Sequence, residues 1–196
     1  MISKNTKTKK KLIEVARDLF ASRGKKNVTM NDIAEASKKG RRTLYTYFKS
    51  KEDIYRAVID YELSFVLEKL ILVSEEKIDP ETKLSNHIIT HLDAIKDAVD
   101  RNGSLRADFF HDIYEVERTR RKVDMKEIEL IEEILREGVE KRTFKRMDLN
   151  LSAMIIFYSL KGLEVPYIRR SITSEFEKNK DSIVEFVFSG IRKMSK

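Results

Sequence analysis

The chain has no cysteine and no tryptophan, and only two prolines and six glycines among 196 residues. Without cysteine there can be no disulfide framework, thiolate metal site or cysteine nucleophile. Scarce proline and glycine leave few of the residues that punctuate β-rich folds, and so favour long helices. No apolar stretch approaches the ~18 to 20 residues that a membrane helix needs. The basic start, Met1 to Lys11, is not followed by the uninterrupted apolar run of a secretory signal. A cytoplasmic protein with no membrane partner is the expectation. Acidic residues are also scarce at one end. Residues 1–56 hold 16 Lys/Arg against 6 Asp/Glu, a net of +10, whereas residues 57–196 hold 24 against 27, a net of −3. That asymmetry points to a nucleic-acid or anionic-surface partner for the first part, although lysines 4 to 11 alone could be a solvated tail.

Hydrophobic residues make up 41% of the chain and charged residues 37%, enough to bury a core in one or two domains. Periodicity is helical throughout. Leu12, Ile13, Val15, Ala16, Leu19 and Phe20 recur at spacings of three and four, and Gly24 stops that helix. Thr29 with Asp32 three residues on is a capping pattern that opens a second helix through Ile33 and Ala34. A third helix lies between Gly40 and Phe48, with Leu44 and Phe48 as its apolar stripe. Ser50 to Asp53 opens a long fourth helix that runs through Ile54, Val58, Leu63, Val66 and Leu70 to Val73. Asp79-Pro80 starts the next, which ends at Asn102-Gly103.

Ser104 can cap a helix through Phe109, Phe110 and Ile113, and a helix boundary is expected between Glu115 and Val123. Residues 125–141 are periodic again, and Thr143 to Met147 form a loop. Asp148 or Asn150 caps an apolar helix from Leu151 to about Val165, ended or kinked by Pro166. The last helix begins near Ser174, with Ile183, Val187, Ile191 and Met194 on one side. About nine helices and no strand result, an all-α fold.

Thr29 to Phe48 is thus a helix-turn-helix pattern: a short capped helix, a tight turn and a second short helix with one face free. Around it stand Leu19-Phe20-Ala21-x-Arg23-Gly24, Val28-Thr29, Asp32-Ile33-Ala34 and Thr43-Leu44-Tyr45-x-Tyr47-Phe48-Lys49-x-Lys51-Glu52. These stretches resemble the TetR family of bacterial transcriptional regulators closely over residues 8–60. The resemblance implies a DNA-binding domain at residues 1–51 and an effector-binding and dimerisation domain at residues 52–196. It also implies a homodimeric, ligand-responsive repressor on a palindromic operator. Carried over, the family pattern puts Arg41 and Arg42 at the front of the recognition helix with Tyr45 facing the groove. Thr29, Thr43, Tyr47 and Lys51 would hold phosphates. The chemistry agrees, because arginine forks match guanine O6 and N7, and hydroxyls and lysine suit phosphate oxygens. The turn departs from the family pattern: Ser37-Lys38-Lys39-Gly40 moves the glycine two places later. Either Lys38 takes a positive φ, at about 1 kcal/mol of strain, or Gly40 does and the third helix begins later.

Leu151, Met154, Ile155, Phe157, Tyr158 and Leu160, with Gly162 and Gly190, suit a dimer seam between the last two helices. In family terms the middle helices enclose a pocket for an unknown small-molecule effector, with Phe65, His87, His91, Phe109, Phe110 and Tyr114 as candidate lining. His87 and His91 lie four apart, a spacing at which two imidazoles can share a metal with His111 as a third ligand. Aromatics at helical spacing are more often plain core, and two histidines without a fixed third ligand do not define a metal site, so no metal or cofactor is assigned. No catalytic arrangement or phosphate-binding glycine loop is readable, and the chain is not expected to be an enzyme. The alternative is a nucleoid or division-type DNA-binding factor regulated by a protein partner.

Overall fold

The computed structural model describes residues 4–101, 113–168 and 179–193. They form α1 (Lys4–Arg23), α2 (Met30–Ala36), α3 (Arg41–Tyr47), α4 (Lys51–Glu75), α5 (Pro80–Arg101), α6 (Ile113–Glu140), α7 (Leu149–Ile168) and α8 (Lys180–Ile191). A 3₁₀ turn spans Lys25–Asn27, and an isolated bridge pairs Phe144 with Arg192. The all-α expectation holds among the described residues, and none of these helices is long and apolar enough to cross a membrane. The helix expected from Ser104 through Phe110 and the start near Ser174 lie outside the described residues. Two expectations change. No helix boundary falls in the described part of the stretch before Val123: α6 runs unbroken over 28 residues, because it contains no proline and no glycine before Gly138. Pro166 does not end α7, which continues to Ile168.

Contacts divide the chain into two units. The first comprises residues 1–64 with 98–121, and the second residues 65–97 with 122–196. In the first, Leu12, Ala16 and Phe20 of α1, Ile33 of α2, Leu44 of α3 and Ile54, Tyr55 and Val58 of α4 are buried together as a core. Each large apolar side chain so buried contributes roughly 1.5–3 kcal/mol. Phe20 meets Tyr55 edge to face, with centroids 5.9 Å apart. The buried Glu62 carboxylate lies 3.5 Å from Arg17 and 3.1 Å from Arg101, and Tyr61 donates to Glu14 at 3.0 Å. The Arg17 and Tyr61 contacts brace α1 against α4, and the Arg101 contact ties the end of α5 to α4.

Between α2 and α3 the chain makes a Schellman turn: Lys39 N–H donates to Ala34 C=O at 3.0 Å, and Lys38 N–H to Glu35 C=O at 2.9 Å. Lys38 therefore takes the left-handed conformation, φ 55, at the position glycine usually fills. Gly40 has φ −63 and ψ 145 and serves as the N-cap of α3. Of the two alternatives for this turn, the strained lysine is the one adopted.

In the second unit Leu84, Ile88 and Leu92 of α5, Ile131 and Leu135 of α6, Ala153, Phe157 and Leu160 of α7, and Val184 and Phe188 of α8 form one core. A smaller cluster joins Val66 and Leu70 of α4 to Ala94, Ile95 and Leu130. Asp79 caps α5 through Thr82 N–H, and Asp148 caps α7 through Leu151 N–H. α8 turns Val184, Phe188 and Ile191 inward, with Ile183 and Val187 half-buried beside them.

A chain of ionised groups crosses this core. His91 is 0% exposed; its Nδ1 lies 2.6 Å from Glu127 Oε1 on α6 and its Nε2 3.2 Å from Glu164 Oε1 on α7. A carboxylate beside each ring nitrogen favours the doubly protonated imidazolium. Burial opposes that charge, but the attraction of Glu127 and Glu164 and their hydrogen bonds override it and raise the His91 pKa to about 10. Burial would likewise raise Glu127, yet the His91 charge holds it below the usual carboxylate range.

Two predictions follow from this packing. His91→Leu removes the cation from between two buried carboxylates and is expected to destabilise the second unit by about 3–5 kcal/mol in urea unfolding. The pH dependence has a definite sign. A raised histidine pKa stabilises fully below its unfolded value of 6.5 and the effect is lost as pH rises through about 10. Wild-type stability should therefore fall between pH 8 and 10 more steeply than that of the variant. For the turn, Lys38→Gly relieves the left-handed strain and should raise stability by up to ~1 kcal/mol, read as a higher melting temperature.

Candidate nucleic-acid interface

The segment from Thr29 to Asp53 is held at three points. Thr29 and Asp32 form a reciprocal cap: Asp32 N–H donates to Thr29 Oγ1 at 3.2 Å, and Thr29 N–H to Asp32 Oδ2 at 2.7 Å. The Thr29 hydroxyl also donates to Asp32 at 2.6 Å, and these bonds lower the Asp32 pKa. At α4, Ser50 Oγ accepts from Asp53 N–H at 3.1 Å while Asp53 Oδ2 accepts from Lys49 N–H at 3.0 Å. Lys51 Nζ then donates to Lys25 C=O at 2.9 Å, and Lys25 Nζ sits 3.9 Å from the Tyr55 ring centroid. The turn before α2 is thereby tied to the start of α4.

Within this frame α3 has two sides. Leu44 and Phe48 are 0% and 4% exposed and anchor it to the core, as their spacing implied. Arg41, Arg42 and Tyr45 face solvent, with Tyr45 45% exposed, while Thr43 and Tyr47 are half-buried. Among the described residues neither Arg41 nor Arg42 is engaged in a side-chain hydrogen bond or ion pair. The first turn of α3 contains no acidic residue. Cations at a helix amino terminus oppose its dipole by about 0.3–1 kcal/mol each, so these arginines work against the helix that carries them. An approaching polyanion reverses that sign. Lys38, Lys39 and Lys49 add positive charge on the same stretch.

The expected phosphate contacts differ in how free they are. Thr29 spends its hydroxyl on the cap, and Lys51 uses one of three ammonium protons on Lys25. Thr43 and Tyr47 make no side-chain hydrogen bond among the described residues.

In the second unit, His87 and His91 are both fully buried on α5. His87 Nε2 lies 3.5 Å from Glu127 Oε1, long for a hydrogen bond, and among the described residues its Nδ1 has no partner. Phe65 is half-buried. Phe109, Phe110 and His111 lie outside the described residues, as does the side chain of Tyr114. Each His91 nitrogen faces a different carboxylate, so the groups form a chain that does not converge on a point, and no set of three ligands is placed to hold a metal ion among the described residues. Glu127 and Glu164 were not anticipated from sequence. One signal was available: Asp124 and Glu127 continue the inward stripe of Ile131 and Ile134 on α6, where a carboxylate needs a buried partner.

Comparison with known proteins agrees with this geometry. Residues 12–58 match the model for bacterial regulatory proteins, tetR family. An uncharacterized HTH-type transcriptional regulator of Mycobacterium tuberculosis is 29% identical over 87 residues, 44% of this chain and 43% of the relative, so the match spans less than half of that protein's length. The fatty acid metabolism regulator protein of Bacillus subtilis is 22% identical over 183 residues, covering 92% of this chain and 93% of that one. The fold is shared with the FadR transcriptional regulator from Bacillus subtilis solved in complex with stearoyl-CoA, at a TM-score of 0.71 and 20% identity over 93% of this chain and 99% of that chain. The capped helix-turn-helix and the family match over it agree: residues 12–58 are similar to the bacterial regulatory proteins of the tetR family, within an all-helical fold.

Proposed function

We propose that the chain is a homodimeric repressor that reads a palindromic operator with Arg41, Arg42 and Tyr45 and is released by a small-molecule effector. The observation that carries this reading is the division of α3, with Leu44 and Phe48 committed to the core and two arginines left free at its first turn. Arginine forks in that position suit guanine edges in a major groove, and Thr29, Thr43, Tyr47 and Lys51 suit the flanking phosphates.

One recognition helix reads few base pairs, so two copies are needed, with half-sites about 34–36 Å apart or further. A second copy has a surface to use. The seam residues expected from sequence divide: Phe157 and Leu160 are buried in their own core, whereas Leu151, Met154, Ile155 and Tyr158 are 38–58% exposed along α7. On α8 Phe186 is 80% exposed. A Cβ added at Gly162 or Gly190 would meet nothing within 4 Å, so both leave room for a partner helix. An apolar stripe of this kind marks an interface more often than bare surface.

The effector belongs, in this reading, beside His87. A fully buried imidazole with an open Nδ1 is a polar group awaiting a partner. A ring nitrogen there suits an effector that brings a hydrogen-bonding polar group. The stearoyl-CoA of the Bacillus subtilis structure belongs to that protein; this chain's interior asks for a polar end on whatever enters.

Two measurements test the reading. Arg42→Ala should weaken operator binding by roughly 1–3 kcal/mol and relax specificity at one position, read by gel shift against a selected palindrome. Unchanged affinity would remove α3 as the reader. Ile155→Glu combined with Phe186→Glu should convert a dimer to a monomer in analytical ultracentrifugation, with loss of operator binding. A wild-type chain that sediments as a monomer and still binds the palindrome would refute the dimer.

A further inference from the structure

The carboxy-terminal end of α6 contains a second feature that the reading above does not use. A cavity of about 640 Å³ opens between the loop after α6 and the end of α8, lined by Val139, Glu140, Arg142, Phe144, Lys145, Arg146 and Lys193. Four of the seven lining residues are cations and one is an acid, in a segment of the chain whose net charge is −3 from residue 57 onward. None of Arg142, Lys145, Arg146 and Lys193 is ion-paired among the described residues, although their neighbours are: Lys141 holds Glu137 at 2.7 Å, and Arg192 holds Glu81 and Glu185.

The frame under these cations is built. Thr143 N–H and Phe144 N–H both donate to Gly138 C=O, at 2.9 and 3.1 Å, and Arg142 N–H donates to Val139 C=O at 3.1 Å. That is the Schellman pattern again, and Arg142 sits in it at φ 62. Lys145 N–H donates to Ile191 C=O at 3.0 Å, pinning the loop to the end of α8. Phe144 is 2% exposed, and its ring lies where a Cβ on residue 138 would meet it at 2.0 Å, so only glycine fits there. The cations project from a backbone fixed at both ends.

The charge balance identifies the occupant. The carboxy termini of α6 and α8 both end at this cavity, and each is equivalent to about half a negative charge. Together with Glu140 they offset about two of the four cations, leaving a surplus of about two positive charges. We propose that this cavity binds a small organic phosphate, carried as a phosphomonoester or diphosphate dianion between Arg142, Lys145, Arg146 and Lys193, with Val139 and Phe144 against its organic body. Its volume falls within the ~300–1,000 Å³ of small-molecule sites. Its concavity suits a compact anion better than a duplex, whose phosphates follow a convex surface.

The test is calorimetric titration of the full chain with ADP, AMP and adenosine at 0.15 M salt. The comparison is between wild type, Lys145→Glu with Arg146→Glu, and a control, Lys7→Glu with Lys11→Glu, which changes net charge equally on α1. ADP should bind more tightly than adenosine. Its affinity should fall by about tenfold or more in the cavity variant, while the control keeps it and both variants keep the wild-type melting temperature within a few degrees. Absence of ADP binding at millimolar concentration would overturn the proposal. So would equal affinity for adenosine, or equal loss in both variants. Retained ADP affinity alongside weakened binding to a nonspecific duplex would reassign the face to DNA backbone and overturn it equally. Operator binding and dimerisation are measured separately, so failure here leaves the repressor reading standing.

Discussion

The second unit depends on one proton. An imidazolium on α5 lies between carboxylates on α6 and α7, and removing its charge would leave those carboxylates without their buried cation in a largely aliphatic and aromatic core. Hydrophobic packing is tolerant of small displacements, whereas a buried ion chain at 2.6 and 3.2 Å is not. The ion chain thus adds a distance constraint between the three helices to the apolar area that holds them together. The neighbouring His87 is buried beside the same Glu127, with its Nδ1 unbonded among the described residues.

The first unit uses a different device for the same end. Its helix α3 is only seven residues long, too short to be stable alone, and it carries two arginines where its dipole disfavours them. Stability comes from Leu44 and Phe48 against the core, from the reciprocal cap at Thr29 and from the tether between Lys51 and Lys25. Lys38 and Arg142 show a related trade. Both occupy left-handed positions that glycine would fill without strain, and both place a cation next to a face where negative charge is expected to arrive.

Much of this was legible from residue order. Helix positions followed from spacing and from caps at Thr29, Ser50, Asp79 and Asp148, because those signals are local and act within one turn. The core assignment of Leu44 and Phe48, and the solvent face of Arg41, Arg42 and Tyr45, followed from 3.6-residue periodicity. Less legible was any feature needing a partner far along the chain. A boundary was expected between Glu115 and Val123, yet no proline or glycine there breaks α6. Phe157 and Leu160 could not be separated from Ile155 and Tyr158, since α7 is apolar nearly all round and only its neighbours decide which side is covered.

By itself, then, the sequence determined the all-helical class, the capped helix-turn-helix and the basic end, since each rests on interactions between residues a few positions apart. Residue order left open whether Lys38 or Gly40 bears the left-handed turn, and the local bonds of Lys39 N–H to Ala34 C=O and of Lys38 N–H to Glu35 C=O place it at Lys38; tertiary structure decided the rest. It alone brought Glu127 and Glu164 to His91, across 36 and 73 residues of chain, and the end of α8 to the loop after α6. Those pairings arise from how the helices pack, and no local spacing encodes them.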